Sequence, residues 1–214
     1  MNIRIRPAKA SDMEACAALR KEVYNTTYQD VVDSRLITSV NQEDSLQRLR
    51  SQWLEPGGMF FVAEEIAEDA AEGVGKSNPG DSGEKTAGAG TAKGTDAEGN
   101  ISATEAKEFT FLGYVRGLPS PDVLGAFWLE SLYLTESARG KGLGRKLIRY
   151  MGRQAVNQGY NQMVIDVFAG NDHAEQVYRH MGAELIDDNY IEEINLFPVR
   201  AKLLLWKDLS IFEA

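Results

Sequence analysis

The sequence predicts an α/β (α+β) fold, with one mixed central sheet of about seven strands and helices on both of its faces. Three observations predict it. Apolar patterns of period two and period 3.6 follow one another in the order βααβ and then ββαβαββ. The stretch Ala126–Leu134 is apolar on both faces, as a strand in the middle of a sheet must be. It then passes through a glycine-rich turn into a helix with one apolar face, made by Leu147, Ile148, Met151 and Ala155.

The chain opens on alternating apolar and charged residues, Ile3-Arg4-Ile5-Arg6, a strand with one buried face that Pro7 ends. Ser11 with Glu14 has the spacing of a capping box. The helix it introduces places Met13, Cys16, Leu19 and Val23 on one side. Tyr24 to Asp33 is polar and aromatic, so a loop or broken helix is expected. Residues 42 to 54 form the next helix, stopped by Pro56-Gly57-Gly58. Met59 to Ala63 is the second strand.

Composition changes from Ile66 to Glu108. The stretch has no aromatic residue and is dominated by glycine, alanine, serine, threonine and acids. Such a segment cannot bury enough apolar surface to offset its ordering entropy. It is expected to be a disordered insertion between the second and third strands of a single domain. Phe109 to Val115 resumes as a strand, and Pro119 and Pro121 mark a turn before Ala126–Leu134. The helix Leu143–Asn157 ends at Gly159, which suits a left-handed cap. A strand at Met163–Phe168 follows. Asn171 or Asp172 caps a further helix that ends at Gly182, and two strands, Tyr190–Asn195 and Val199–Trp206, close the chain.

The net charge of -9 argues against a phosphate-backbone partner and is compatible with cationic ones. One cysteine, Cys16, allows no internal disulfide, and with two histidines no metal site is expected. There is no apolar run of bilayer length and no signal-like start, so a cytoplasmic protein with no membrane partner is expected.

The stretch from Glu130 to Arg145 carries the chemistry. Glycines at 140, 142 and 144 let backbone N–H groups approach a ligand, and the helix that begins there adds partial positive charge. Arg139, Lys141 and Arg145 add full charges, so the turn suits a pyrophosphate. The Walker spacing is absent. The dinucleotide fingerprint fails at its third glycine, although Asp166 on the next strand stands where a ribose-binding acid could, which keeps a nucleotide-binding oxidoreductase as a rival. The pattern R/Q-x-x-G-x-G/A is met in full by Arg139, Gly142 and Gly144.

A second segment, Asn171-x-x-Ala174-x-x-x-Tyr178-x-x-x-Gly182, follows in the same order as in one known family. On these two motifs the sequence resembles the GNAT family of N-acetyltransferases, over nearly the whole chain once the insertion is set aside. The resemblance implies a V-shaped splay between strands four and five and direct transfer from acetyl-CoA to a primary amine. It implies that Leu132, Tyr133 and Leu134 pair through their backbone with the pantetheine arm. Gly140, Lys141, Gly142, Leu143, Gly144 and Arg145 would hold the diphosphate with Arg139. Asn171, which can also be a plain helix cap, and Ala174 would touch the cofactor arm.

Two side chains then carry the proton transfers. An alkyl amine, with a pKa of about 10.4, must lose a proton to attack, and a leaving thiolate, with a pKa of about 8.5, needs a donor. The resemblance gives the first task to Glu130, directly or through water, and the second to Tyr178. A glutamate paired with an arginine and a core tyrosine are the bland readings of the same residues. The resemblance places Tyr24, Tyr28, Trp53 and the segment Asp187 to Asn195 around the amine, while the acids Asp187, Asp188, Glu192 and Glu193 read first as a solvated charge run. Relatives of this kind commonly form homodimers. A non-catalytic acyl-CoA-binding module of the same fold is the rival that keeps the cofactor and loses the chemistry.

Overall fold

The structure is a computed structural model that describes residues 2–66 and 109–213. Twelve main elements follow one another among them. They are β1 (Asn2–Pro7), α1 (Met13–Thr26), α2 (Ser34–Gln42), α3 (Ser45–Trp53), β2 (Met59–Ile66), β3 (Phe109–Pro119), β4 (Ala126–Leu134), α4 (Leu143–Asn157), β5 (Gln162–Phe168), α5 (Asp172–His180), β6 (Glu184–Ile194) and β7 (Phe197–Trp206). The expected insertion lies outside the described residues, except that Ile66 closes β2.

The seven strands make one sheet in the order β1-β2-β3-β4-β5-β7-β6. All neighbours are antiparallel except β4 and β5, which are parallel. β4 therefore sits at the centre, as its two apolar faces require. The core lies on both sides of it. Met59, Phe61 and Ala63 of β2 face α4, whose Leu147, Ile148, Met151 and Ala155 are buried against them. Phe60 and Val62 face the other way, onto Met13, Cys16, Leu19 and Val23 of α1. The period-two alternation of β2 thus feeds two helical layers.

Four local expectations are corrected. The first helical turn is not capped by Ser11 and Glu14. The Asp12 carboxylate accepts from Lys9 N–H at 2.6 Å and pairs with Arg6 at 2.7 Å instead. α1 runs on through Tyr24 to Thr26, because Tyr24 is a buried core residue. An additional helix, α2, occupies Ser34–Gln42, with Asp33 accepting from Arg35 N–H at 2.8 Å. The following helix begins at Ser45 rather than residue 42, since Asp44 caps it through Gln47 N–H.

The parallel contact of β4 with β5 is short. It joins Ala126, Phe127 and Trp128 to Gln162, Met163 and Val164 and then stops. Beyond it β4 stays paired with β3 from Ser131 to Leu134, while β5 stays paired with β7 from Ile165 to Phe168. The two strands diverge into the V expected of the fold. One edge of β4 is left with unpaired backbone groups from about Glu130 onward, and residues 130–134 are half-buried rather than sealed.

Candidate functional site

The V is the centre of the site. Four adjoining cavities share lining residues across it. The outermost, of about 410 Å³, lies against the glycine turn. The next, of about 190 Å³, follows Leu132, Tyr133 and Leu134 along β4. A crevice of about 50 Å³ between β4 and β5 leads to a chamber of about 60 Å³ beneath α1 and α3.

The turn is shaped by its glycines. Gly140 and Gly142 have φ of 70° and 79°, a left-handed conformation that costs an L side chain about 1–2 kcal/mol. No atom lies within 4 Å of where a Cβ of Gly140 would stand, so the backbone there faces open space. Gly142 is the N-cap of α4, and the first N–H to bond back to it is that of Lys146, at 3.2 Å. The amides ahead of Lys146 stay available, as at any helix start. Arg139 and Arg145 line this cavity, and neither forms an ion pair with an acid among the described residues. Arg139 is oriented by Leu134 O, which accepts from its Nε at 3.1 Å. Free donors and two unneutralised guanidiniums fit a diphosphate.

The expected residues divide between lining and support. Leu132, Tyr133, Leu134, Arg139, Gly144, Asn171, Ala174 and Tyr178 line the groove along β4, and Gly140, Gly142 and Arg145 line the outer cavity. Leu143 is buried in the core, so only its backbone can face a ligand. Lys141 is exposed and lines none of the four cavities. Asn171 both caps α5, accepting from Ala174 N–H at 3.4 Å, and lines the groove. His173 and His180 line the outer cavity opposite the turn. Both are exposed, and their place on the α5 face toward the turn brings them there.

Tyr178 is buried on α5, with its ring edge-on to Trp206 at 6.0 Å. It lines both the groove and the crevice. Burial first, and then the Asp166 charge, push its phenol pKa well up, so it stays protonated and can donate. Tyr28 joins it in the same two cavities, its ring tilted against that of Phe168 with centroids 4.8 Å apart.

Glu130 lies on β4 in the crevice and the chamber, with every oxygen engaged. Gln52 donates to Oε1 at 3.0 Å and Ser131 to Oε2 at 2.8 Å, and Arg116 of β3 pairs with Oε2 at 2.6 Å. Arg116 is 2 % exposed and also pairs with Glu55. Asp166 lines the same two cavities from β5. Its Oδ1 accepts from Trp128 Nε1 at 2.8 Å. Burial pushes its carboxyl up to about 6, although the Trp128 hydrogen bond pulls the other way. Glu192, from β6, completes this acidic wall and is pushed up to about 7 by burial and by Asp166. The residues expected around the amine are partly corrected. Tyr24, Glu192 and Ile194 line the chamber, while Trp53, Asp187 and Asp188 line none of the cavities, because α3 turns Trp53 outward and the start of β6 is exposed.

Comparison with known proteins agrees with this geometry. The sequence model of the "Acetyltransferase (GNAT) family" matches residues 92–183, which include β4, the glycine turn and α5. Among curated proteins, thialysine N-epsilon-acetyltransferase of Mus musculus is 33% identical over 57 residues, 27% of this chain and 34% of the relative. The Bos taurus protein of the same name is 32% identical over the same length. The chain thus matches about a third of the length of these relatives. Among solved structures, PaiA N-acetyltransferase from Thermoplasma acidophilum, in complex with coenzyme A, has a TM-score of 0.61 at 15% identity. The two chains cover each other by 96% and 98%. An N-acetyltransferase from Staphylococcus aureus Mu50 gives 0.58 at 15% identity, covering 98% of this chain and 99% of its own. These likenesses bear out the fold.

Proposed function

We propose that this chain, which matches the GNAT family model over residues 92–183, is a member of that family and moves an acetyl group from acetyl-CoA to a primary amine by direct attack. The observation that carries the reading is the row of cavities, each sharing lining residues with the next, from the glycine turn, along the open edge of β4, to the acidic chamber. Each stretch of that row suits one part of the reaction.

The amides of residues 140–145 with Arg139 and Arg145 suit the diphosphate. The unpaired edge of β4 at Leu132, Tyr133 and Leu134 suits an arm that carries amide groups, added like one more strand. Ala174 and Asn171 close the groove from α5. The thioester then reaches the crevice where Tyr178 stands, and its phenol supplies a hydrogen bond to the departing sulfur. The amine comes from the other face, through the chamber. Glu130, Asp166 and Glu192 there attract an ammonium group. Two relatives named for acetylating thialysine at its N-epsilon position support a primary amine as acceptor. Glu130 suits a positioning role best, because Gln52, Ser131 and Arg116 hold both of its oxygens.

A two-part assay tests the reading. Coenzyme A at about one hundred times its Kd should stabilise the folded chain by about 2.7 kcal/mol, read as a rise in Tm. Acetyl-CoA should then be consumed with at least one amine of a panel of diamines, amino acids and lysine peptides. A chain that binds coenzyme A and acetylates no amine is the non-catalytic module instead, and one that binds NAD but not coenzyme A is the oxidoreductase.

A further inference from the structure

We propose that Asp166 is the group that takes the amine's proton, an assignment that rests on the transferase reading above. The choice follows from which carboxylate has a lone pair to offer. Glu130 and Asp166 line the same crevice and the same chamber from opposite sides of the V. Glu130 is held at both oxygens and tied to the buried Arg116. Among the described residues Asp166 accepts from one other side chain, Trp128, at Oδ1, has its own backbone N–H beside the carboxyl, and forms no ion pair with a lysine or arginine. No other side chain among the described residues bonds to its Oδ2.

The position is fixed by the splay. Trp128 is the last residue of β4 to pair with β5, where its partner is Val164. Its indole reaches across the opening gap and orients the carboxylate two residues farther on. Asp166 therefore stands just past the fork, on the route from chamber to crevice.

The groups that face it set its charge. Glu130 from β4, Asp122 from the turn before it and Glu192 from β6 all disfavour ionisation. Tyr24 from α1, Tyr28 just after it, Tyr178 from α5 and Tyr190 from β6 are neutral neighbours. Leu203 faces it from β7 and carries no charge. The chamber's cations, Arg20 and Arg48, lie on the opposite, helical wall. Burial and these acids lift Asp166 to about 6, so near neutral pH it is ionised and a better base than an ordinary aspartate.

The step balances without another reactant. The ammonium first gives one proton to solvent; the neutral amine nitrogen then forms the C–N bond, its second proton passes to Asp166 Oδ2, and the electron pair of the C–S bond leaves on sulfur. Tyr178 protonates that sulfur, and solvent returns one proton from Asp166 to Tyr178.

The test is the pH dependence of kcat/KM with the most reactive amine of the panel. In the wild type the logarithm should steepen by one unit of slope below about pH 6. Asp166→Asn should lose that break and lower kcat on the order of 10²-fold, with the Tm shift from coenzyme A retained. Glu130→Gln, whatever its rate, should keep the break. Because the ionised carboxylate is disfavoured in the fold, Asp166→Asn should also melt higher than wild type at pH 8 and lose that advantage below about pH 4. A break that survives Asp166→Asn, or that disappears only in Glu192→Gln, overturns the assignment and leaves the transferase reading standing. A wild type that acetylates no amine overturns both.

Discussion

Tyr178→Phe is expected to lower kcat on the order of 10²-fold while coenzyme A binds nearly as before. The ring would keep its place, because its packing against Trp206 at 6.0 Å involves no hydroxyl. Only the donor to sulfur is lost. The thiolate would then leave without the Tyr178 hydroxyl to protonate it. Presteady-state kinetics should show a slowed chemical step rather than slowed product release. A thiol leaving group of lower pKa needs less help, so an activated thioester should restore part of the rate. If kcat is unchanged with the natural thioester, Tyr178 is a core aromatic and the hydroxyl has no catalytic task.

The second large effect is on stability. Arg116→Met should destabilise the fold by about 3–5 kcal/mol, the usual cost of removing one partner of a buried ion pair. Arg116 is 2 % exposed and bonds to Glu130 on the neighbouring strand and to Glu55 after α3. Removing it leaves Glu130 charged beneath the chamber with only Gln52 and Ser131 as donors. Adding Glu130→Met should recover most of the loss, since two apolar side chains then replace two charges. Urea unfolding would give both values, with the midpoint moving and the slope m held. A single variant within about 1 kcal/mol of wild type, the range of exposed pairs, would mean that the pair is not shielded as its burial indicates.

The sequence and the structure agree best where local pattern and burial coincide. β4 and α4 have the bounds that their apolar patterns give, Ala126–Leu134 and Leu143–Asn157. The glycine turn between them is legible because glycine adopts the left-handed backbone of residues 140 and 142 without steric cost. α2 is not legible. Ser34–Gln42 is short and rich in serine, threonine, valine and asparagine, and it is held by its Asp33 cap and by the burial of Leu36 and Val40. β6 extends back to Glu184 through acids with no alternation. It lies at the sheet edge, and most of that stretch is exposed, so its pairing with β7 does not depend on an apolar face.

The candidate site divides the same way. Arg139, Gly142, Gly144, Asn171, Ala174 and Tyr178 announce themselves by spacing, and the structure brings them to one groove. What sequence alone could not supply is everything set by strand register. Arg116 stands opposite Ser131 across β3 and β4, and that register delivers it to Glu130. Asp166 looked like a ribose-binding acid because the strand after a glycine turn often carries one. The early end of the β4–β5 pairing instead opens a crevice beside it. Glu192 sat in a run of acids that reads as solvated, yet it faces the chamber while Glu193 beside it is exposed.

The central claim is that the turn at residues 140–145 grips the coenzyme and aims its sulfur into the fork of the V. A crystal structure of the chain grown with coenzyme A tests it most directly. The account predicts diphosphate oxygens on the amides of this turn, the arm running beside Leu132 to Leu134, and the thiol between Tyr178 and Asp166. A coenzyme bound elsewhere, with the turn in contact only with solvent, would contradict it.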